Sequence, residues 1–174
     1  KVLYSGTACQ SDGLYAYLGD RYEGQLITID LVCHGVRSPK VFQDYLDYVQ
    51  DKYGARAKKV YFRNKEPGWY VFGMKIVFEN EKIYKADTYE DPFIRGFLRE
   101  LFLRPSCHQC NYAGTSRVAD ITLADFWGIQ KIAPEMNDGK GTSLVLVHST
   151  KGMKALEQIQ EKIISQSVDL EKAI

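Results

Sequence analysis

The sequence predicts a mixed α/β fold: a βαβ start with parallel strands, a central antiparallel meander, and helices that cover the sheets. Three observations carry this. The first 32 residues read strand, tight turn, helix, strand; residues 58–85 alternate or carry β-formers; and two proline-marked caps each open an amphipathic helical run.

Lys1 to Ser5 is a short strand that ends in Gly6-Thr7, and Leu14, Tyr15 and Leu18 fall at helical spacing after Gln10. Gln25 to Val32 is β-branched and nearly continuously apolar, the pattern of a strand buried on both faces of a parallel sheet. Ser38 is an N-cap followed by Pro39, and Val41, Phe42, Tyr45, Leu46 and Val49 form one stripe that stops at Gly54. Lys58 to Arg63, Val71 to Glu79 and Lys82 to Lys85 are the meander, with Glu79-Asn80-Glu81 as a hairpin turn.

Asp91-Pro92 caps a helix with Phe93, Ile94, Phe97, Leu98, Leu101 and Phe102 inward, and Pro105 ends it. A short strand at Asp120 to Ala124, an irregular stretch, a buried strand Ser143 to Val147 and a helix from Thr150 follow. That helix turns Met153, Leu156, Ile159 and Ile163 inward, and the last residues read as cut off within an element. No repeat, low-complexity tract or long linker divides the 174 residues, so a single domain over 1–174 is expected. Because residue 1 is Lys and already opens a strand, the chain is expected to begin inside a longer protein or after a removed tag.

With 23 basic and 22 acidic residues there is no global field to steer the chain onto nucleic acid. No apolar run approaches the roughly 18 residues of a membrane span. Four cysteines are too few for a disulfide scaffold in a chain of this size, which points to a reducing, cytoplasmic setting.

Cys107-His108-Gln109-Cys110 is a C-x-x-C turn, a geometry that aims two thiolates at one metal. Cys9 and Cys33 each follow the carboxyl end of one of the first two strands, the edge at which open α/β sheets place ligands. If the turn folds over that edge, all four cysteines meet and none is left over. Four thiolates suit a [4Fe-4S] cluster or a structural zinc, and one close pair plus two dispersed singles favours the cluster. The competing reading keeps Cys9 and Cys33 as small buried hydrophobes. His34 and His108 adjoin proposed ligands as local hydrogen-bonding residues, and His148 closes a strand as a structural one.

Six motifs in order, S-G-T-x-C-Q (Ser5 to Gln10), D-L-V-C-H-G-V-x-S-P (Asp30 to Pro39), F-R-N-K-x-x-G-W (Phe62 to Trp69), E-D-P-F (Glu90 to Phe93), R-P-S-C-x-x-C (Arg104 to Cys110) and D-I-T-L-x-D-F-W-G (Asp120 to Gly128), resemble the C-terminal domain of the coenzyme F420 hydrogenase/dehydrogenase beta-subunit family. The resemblance implies a C-terminal fragment of a longer redox subunit. It also implies an iron-sulfur cluster on Cys9, Cys33, Cys107 and Cys110, FAD that needs an N-terminal part, and electron exchange with F420. The implied partners are other redox subunits or an N-terminal ferredoxin-like domain. Ala8 stands where the family often has proline and Ala124 where it often has glycine; neither change removes a ligand.

For an anionic cofactor, Gly6 and Thr7 before a helix offer amides to a phosphate such as the FAD pyrophosphate. Arg63, Lys65, Gly68 and Trp69 put two cations and an aromatic plane in a turn that either faces a flavin or is an anchored hairpin. Asp125 and Trp127, with Asp120, bracket an irregular segment where a carboxylate bonds a flavin ring or caps a helix. Arg104 and Arg117 flank the cysteines. The favoured function is a flavin and iron-sulfur oxidoreductase subunit; the alternative is a non-catalytic docking module with a four-cysteine structural zinc or a vestigial metal site. Sugar-phosphate transfer is a third, weaker reading, because no carboxylate pair has a spacing that demands it.

Overall fold

The computed structural model describes residues 1–22, 24–66 and 68–173 of the chain. In chain order the elements are β1 (Val2–Thr7), α1 (Ala8–Leu18), β2 (Leu26–Leu31), α2 (Pro39–Tyr53), β3 (Ala57–Asn64), β4 (Gly73–Phe78) and β5 (Ile83–Asp87). There follow α3 (Pro92–Leu98), α4 (Pro105–His108), β6 (Ile121–Asp125), α5 (Ile129–Ile132), β7 (Ser143–Val147), α6 (Thr150–Glu157) and α7 (Leu170–Ala173). This is the mixed α/β class expected, with both a parallel and an antiparallel arrangement.

The chain packs as two compact units. One comprises Lys1–Cys33 and Asn111–Ile174; the other is His34–Cys110. Each unit carries two of the four cysteines, and both chain crossings fall immediately after a cysteine.

The first unit is built on a four-stranded sheet in the order β1-β2-β6-β7. β1, β2 and β6 are parallel, and β7 adds antiparallel to β6. The expected βαβ start is present, with β1 and β2 in register from Val2 opposite Leu26 to Thr7 opposite Leu31. Its burial is not that of a continuously apolar strand. On β2 the buried residues are Leu26, Thr28 and Asp30, whereas Leu31 is exposed. β7, expected to be buried, exposes Ser143 and Val145, because it is an edge strand paired only with β6. A small core gathers Phe126, Ile129 and Ala133 against Leu144 and Val168.

The second unit is an antiparallel sheet β3-β4-β5 packed with α2 and α3. Ser38 Oγ accepts from Val41 N, and Gly54 closes α2 in the left-handed conformation at φ 66°, as its sequence signals require. Tyr45, Val49, Met74, Ile76, Phe78, Phe93 and Ile94 form the core. α3 is shorter than its apolar stripe: it stops at Leu98, Glu100 turns to φ 61°, and Leu101 is 72% exposed rather than inward. Phe102 still packs on the core, because a Cβ on Gly96 would stand 2.6 Å from its ring and the glycine makes room. α6 in the first unit likewise ends early, at Glu157, which leaves Ile159 and Ile163 exposed, and Met153 within the helix is exposed as well rather than inward.

Candidate functional site

The cysteines are best followed unit by unit. In the first, Thr7 and Leu31 face one another at the carboxyl end of the parallel pair, and Cys9 and Cys33 each lie two residues beyond. Cys9 falls in the first turn of α1, with its Sγ 3.2 Å from Thr7 Oγ1. Both thiols are free and exposed, which is the opposite of small buried hydrophobes.

In the second unit, residues 36–38 run antiparallel to residues 102–104. Arg37 bridges Leu103, Arg104 N donates to Val36 O at 2.8 Å, and Ser38 N donates to Phe102 O at 2.9 Å. The C-x-x-C segment is a single helical turn opened by Pro105, with Cys107 N donating to Arg104 O. Val36 N donates to Cys107 Sγ at 3.4 Å, so one thiol already receives the kind of amide that stabilises a thiolate and raises the potential of a cluster. Gly35 is required for this path. It sits at φ 133°, and a Cβ there would lie 2.8 Å from Leu103 Cδ1. His34 Nε2 lies 3.0 Å from Phe97 O, with its ring edge-on to Phe97, so it anchors the start of the unit. Within neither unit do three or more described His, Cys, Asp or Glu side chains form a metal-holding group.

The other proposed residues fall into three places. At the β1–α1 turn, Gly6 stands close to Tyr4 and Gln10, and Thr7 N donates to Gln10 Oε1 at 2.9 Å, so that amide is already taken by the helix itself. Arg63, Lys65 and Trp69 do come together: Lys65 Nζ is 3.2 Å from the Trp69 ring centre, and the Arg63 guanidinium stacks between Trp69 at 5.4 Å and Phe72 at 5.0 Å. A cavity of about 390 Å³ lies beside Phe72, lined also by Asn64, Glu66 and Lys85. Lys75 and Lys85 both bond Glu66 and hold its carboxyl down to about 2.

Asp125 ends β6 opposite Ser143, and Trp127 is exposed. The residue before α5 is Gly128 at φ 97°. Asp120 is buried and committed to structure: it accepts from Thr28 N at 2.8 Å, from Ser149 Oγ at 2.6 Å and from Lys151 Nζ at 3.1 Å. Burial raises the Asp120 pKa, but these donors outweigh it and hold the carboxyl below its ordinary value.

Three residues, one in the second unit and two in the first, were not singled out by sequence. Arg37 lies over Phe62 at 4.2 Å, Phe97 at 5.2 Å and Phe93 at 5.7 Å, and burial lowers its pKa. Asp30 and Thr122 form a buried pair across β2 and β6, with Thr122 Oγ1 donating to Asp30 Oδ1 at 2.5 Å. A charged residue in the otherwise apolar run QLITIDLV was the available signal. Arg117, noted in the sequence only as flanking the cysteines, has a buried side chain 3.8 Å from Asp30 Oδ2.

A family model that describes the C terminus of the coenzyme F420 hydrogenase/dehydrogenase beta subunit matches residues 1–173. A search of curated proteins found no match. Among solved structures, the chain is similar to a chain of the F420-reducing [NiFe] hydrogenase complex from Methanosarcina barkeri, solved as a xenon derivative. The identity is 18%, the TM-score 0.52, and the match covers 93% of this chain and 49% of that one. The chain thus spans about half the length of that relative, and the likeness is one of fold.

Proposed function

This chain belongs to the family of C-terminal domains of coenzyme F420 hydrogenase/dehydrogenase beta subunits, and on that premise we propose that it is the cluster-carrying domain of an iron-sulfur and flavin-linked oxidoreductase subunit. Electrons pass between a partner's cluster chain and F420 or a similar hydride carrier. Cys9, Cys33, Cys107 and Cys110 together ligate one [4Fe-4S] cluster, which supplies single-electron transfer when bound. Other redox subunits, or an N-terminal ferredoxin-like domain, are the partners.

The observation that carries this reading is the parallel register. Strands in a sheet are about 4.8 Å apart, and Thr7 opposite Leu31 sets Cys9 and Cys33 off from neighbouring points at one sheet edge. The donor set fits a cluster. All four thiols are free, none is buried, and one accepts an amide hydrogen bond.

The chain's own residues then have distinct tasks. Gln10 and Thr7 fix the turn that presents Cys9, and Gly35 lets residues 34–38 pass Leu103 so that Val36 reaches Cys107. FAD and F420 are held only in part by this chain. Arg63, Lys65 and Trp69 offer cations and a ring to an anionic, planar cofactor, Gly6 and Thr7 a helix start, and Asp125 and Trp127 a polar edge.

The test is anaerobic reconstitution with iron and sulfide. The expected result is about four iron atoms per chain with a dithionite-bleachable absorbance, and loss of most iron in Cys33→Ser. Stoichiometric zinc with no iron uptake would instead establish a structural docking module, and unchanged iron in Cys33→Ser would remove the four-thiolate site.

A further inference from the structure

We infer that His148, Thr122 and Asp30 form a proton relay that leads from the surface of the first unit to a buried carboxylate near the carboxyl edge of β2. Asp30 is fully buried, and its two oxygens differ. Oδ1 accepts from Thr122 Oγ1 at 2.5 Å. Oδ2 has no hydrogen-bond donor among the described residues and faces the Arg117 guanidinium at 3.8 Å. A carboxylate that only cemented two strands would be expected to have both oxygens hydrogen-bonded, whereas here Oδ2 meets only a cation at 3.8 Å.

The direction of the chain follows from counting hydrogens. Thr122 has one hydroxyl hydrogen, and it goes to Asp30. The 2.8 Å contact between Thr122 Oγ1 and His148 Nε2 must therefore be donated by His148. His148 is partly exposed and Asp30 is not, so the three groups step from solvent inward. Burial lowers the His148 pKa; the charge of Asp30 opposes this and that of Arg117 adds to it. Asp120, whose carbonyl accepts from His148 N, and Lys151, paired with Asp120, are further charged groups beside His148 among the described residues.

The transfer balances without an oxidant or reductant. A proton from water binds His148 Nδ1, the Nε2 proton passes to Thr122 Oγ1, and the Thr122 proton passes to Asp30 Oδ1. One proton has moved from solvent to a neutral Asp30, and His148 is left as its other neutral tautomer. The route also has a continuation. Ser11 Oγ on α1 is buried without a hydrogen-bond partner among the described residues. Tyr15, one helical turn later, bonds Thr28, two residues before Asp30. One turn of helix and two residues of strand are both about 6 Å, which puts Ser11 and Asp30 at one level. Asp30 is itself opposite Gly6, one pair before Thr7 and Leu31.

A hydride equivalent is two electrons and one proton, so a module that loads a hydride carrier needs a proton source as well as a cluster. That use of the relay rests on the function proposed above; its measurement does not.

The experiment follows exchange of the Thr122 hydroxyl proton with solvent by NMR in the iron-free 174-residue chain. In His148→Gln a side-chain N–H still donates to Thr122 but cannot ionise, and exchange is expected to slow roughly tenfold or more with loss of its pH dependence. In the unaltered chain the rate should follow the protonation of His148, read from its imidazole shift, over about pH 5 to 8. A flat profile there, or an equal rate in His148→Gln, overturns the relay. The unaltered-chain profile decides the matter even if the variant does not fold. Failed iron uptake would leave this result standing, and a flat exchange profile would leave the iron result standing.

Discussion

Tyr45 donates its hydroxyl to Asp91 Oδ2 at 2.6 Å inside the second unit, and Tyr84 donates to the same oxygen at 2.9 Å. The other oxygen of Asp91 accepts from Ile94 N and caps α3. One fully buried carboxylate therefore ties α2, β5 and α3 together.

Replacing Asp91 with Ala removes the cap and leaves two hydroxyls, one of them buried, without their acceptor. The expected loss is about 3 kcal/mol, against about 1 kcal/mol for Tyr45→Phe, which removes a single donor. Urea unfolding read by far-UV circular dichroism measures both, and equal losses would contradict the shared-acceptor arrangement.

Burial and the bonds to Asp91 push the pKa of Tyr45 and of Tyr84 well above the ordinary tyrosine value of 10.0. A raised folded pKa means that the native state holds these protons more tightly than the unfolded chain. The contribution is complete below the unfolded value, and it is lost as pH rises past it. In an alkaline titration, Tyr45 and Tyr84 should stay un-ionised until the backbone signal collapses. Phenolate absorbance compared between the unaltered chain and Tyr45→Phe checks this; a tyrosine signal lost from the early part of the titration in Tyr45→Phe would show that Tyr45 ionises in the folded state.

Gly35→Ala places a Cβ 2.8 Å from Leu103 Cδ1 at a φ of 133° that only glycine adopts readily. The strain of about 1–3 kcal/mol falls on the strand pair that holds Val36 against Cys107. The variant should fold but retain less iron after reconstitution than the unaltered chain. Iron per chain after gel filtration measures this, and full retention would show that the Val36 amide is not needed.

FAD should not remain stoichiometrically bound when this chain alone is passed through gel filtration. The Thr7 amide is held by Gln10, and Lys65 already stands 3.2 Å over the Trp69 ring. One equivalent of flavin absorbance co-eluting with the protein would contradict this.

Local chemistry in the sequence was enough for much of the scaffold. Ser38-Pro39, Gly54 and Asp91-Pro92 act through the backbone groups next to them, so the limits of α2 and the start of α3 were legible without tertiary information. The parallel start and the edge that carries Cys9 and Cys33 were legible for the same reason, since a short strand-turn-helix-strand leaves little choice of pairing. Helix ends were less so: Leu101 and Ile159 continue an apolar period after the helix has stopped, and periodicity alone does not say where packing ends.

What only the tertiary structure decided is which polar groups are buried together. Asp30 and Thr122 are 92 residues apart, Tyr45 and Asp91 are 46 apart, and Arg37 lies among Phe62, Phe93 and Phe97. A buried polar side chain follows no period, because its position depends on a partner brought beside it by strand order. For Asp30 that partner arrives when β6 pairs with β2, and nothing in the residues around it announces the pairing.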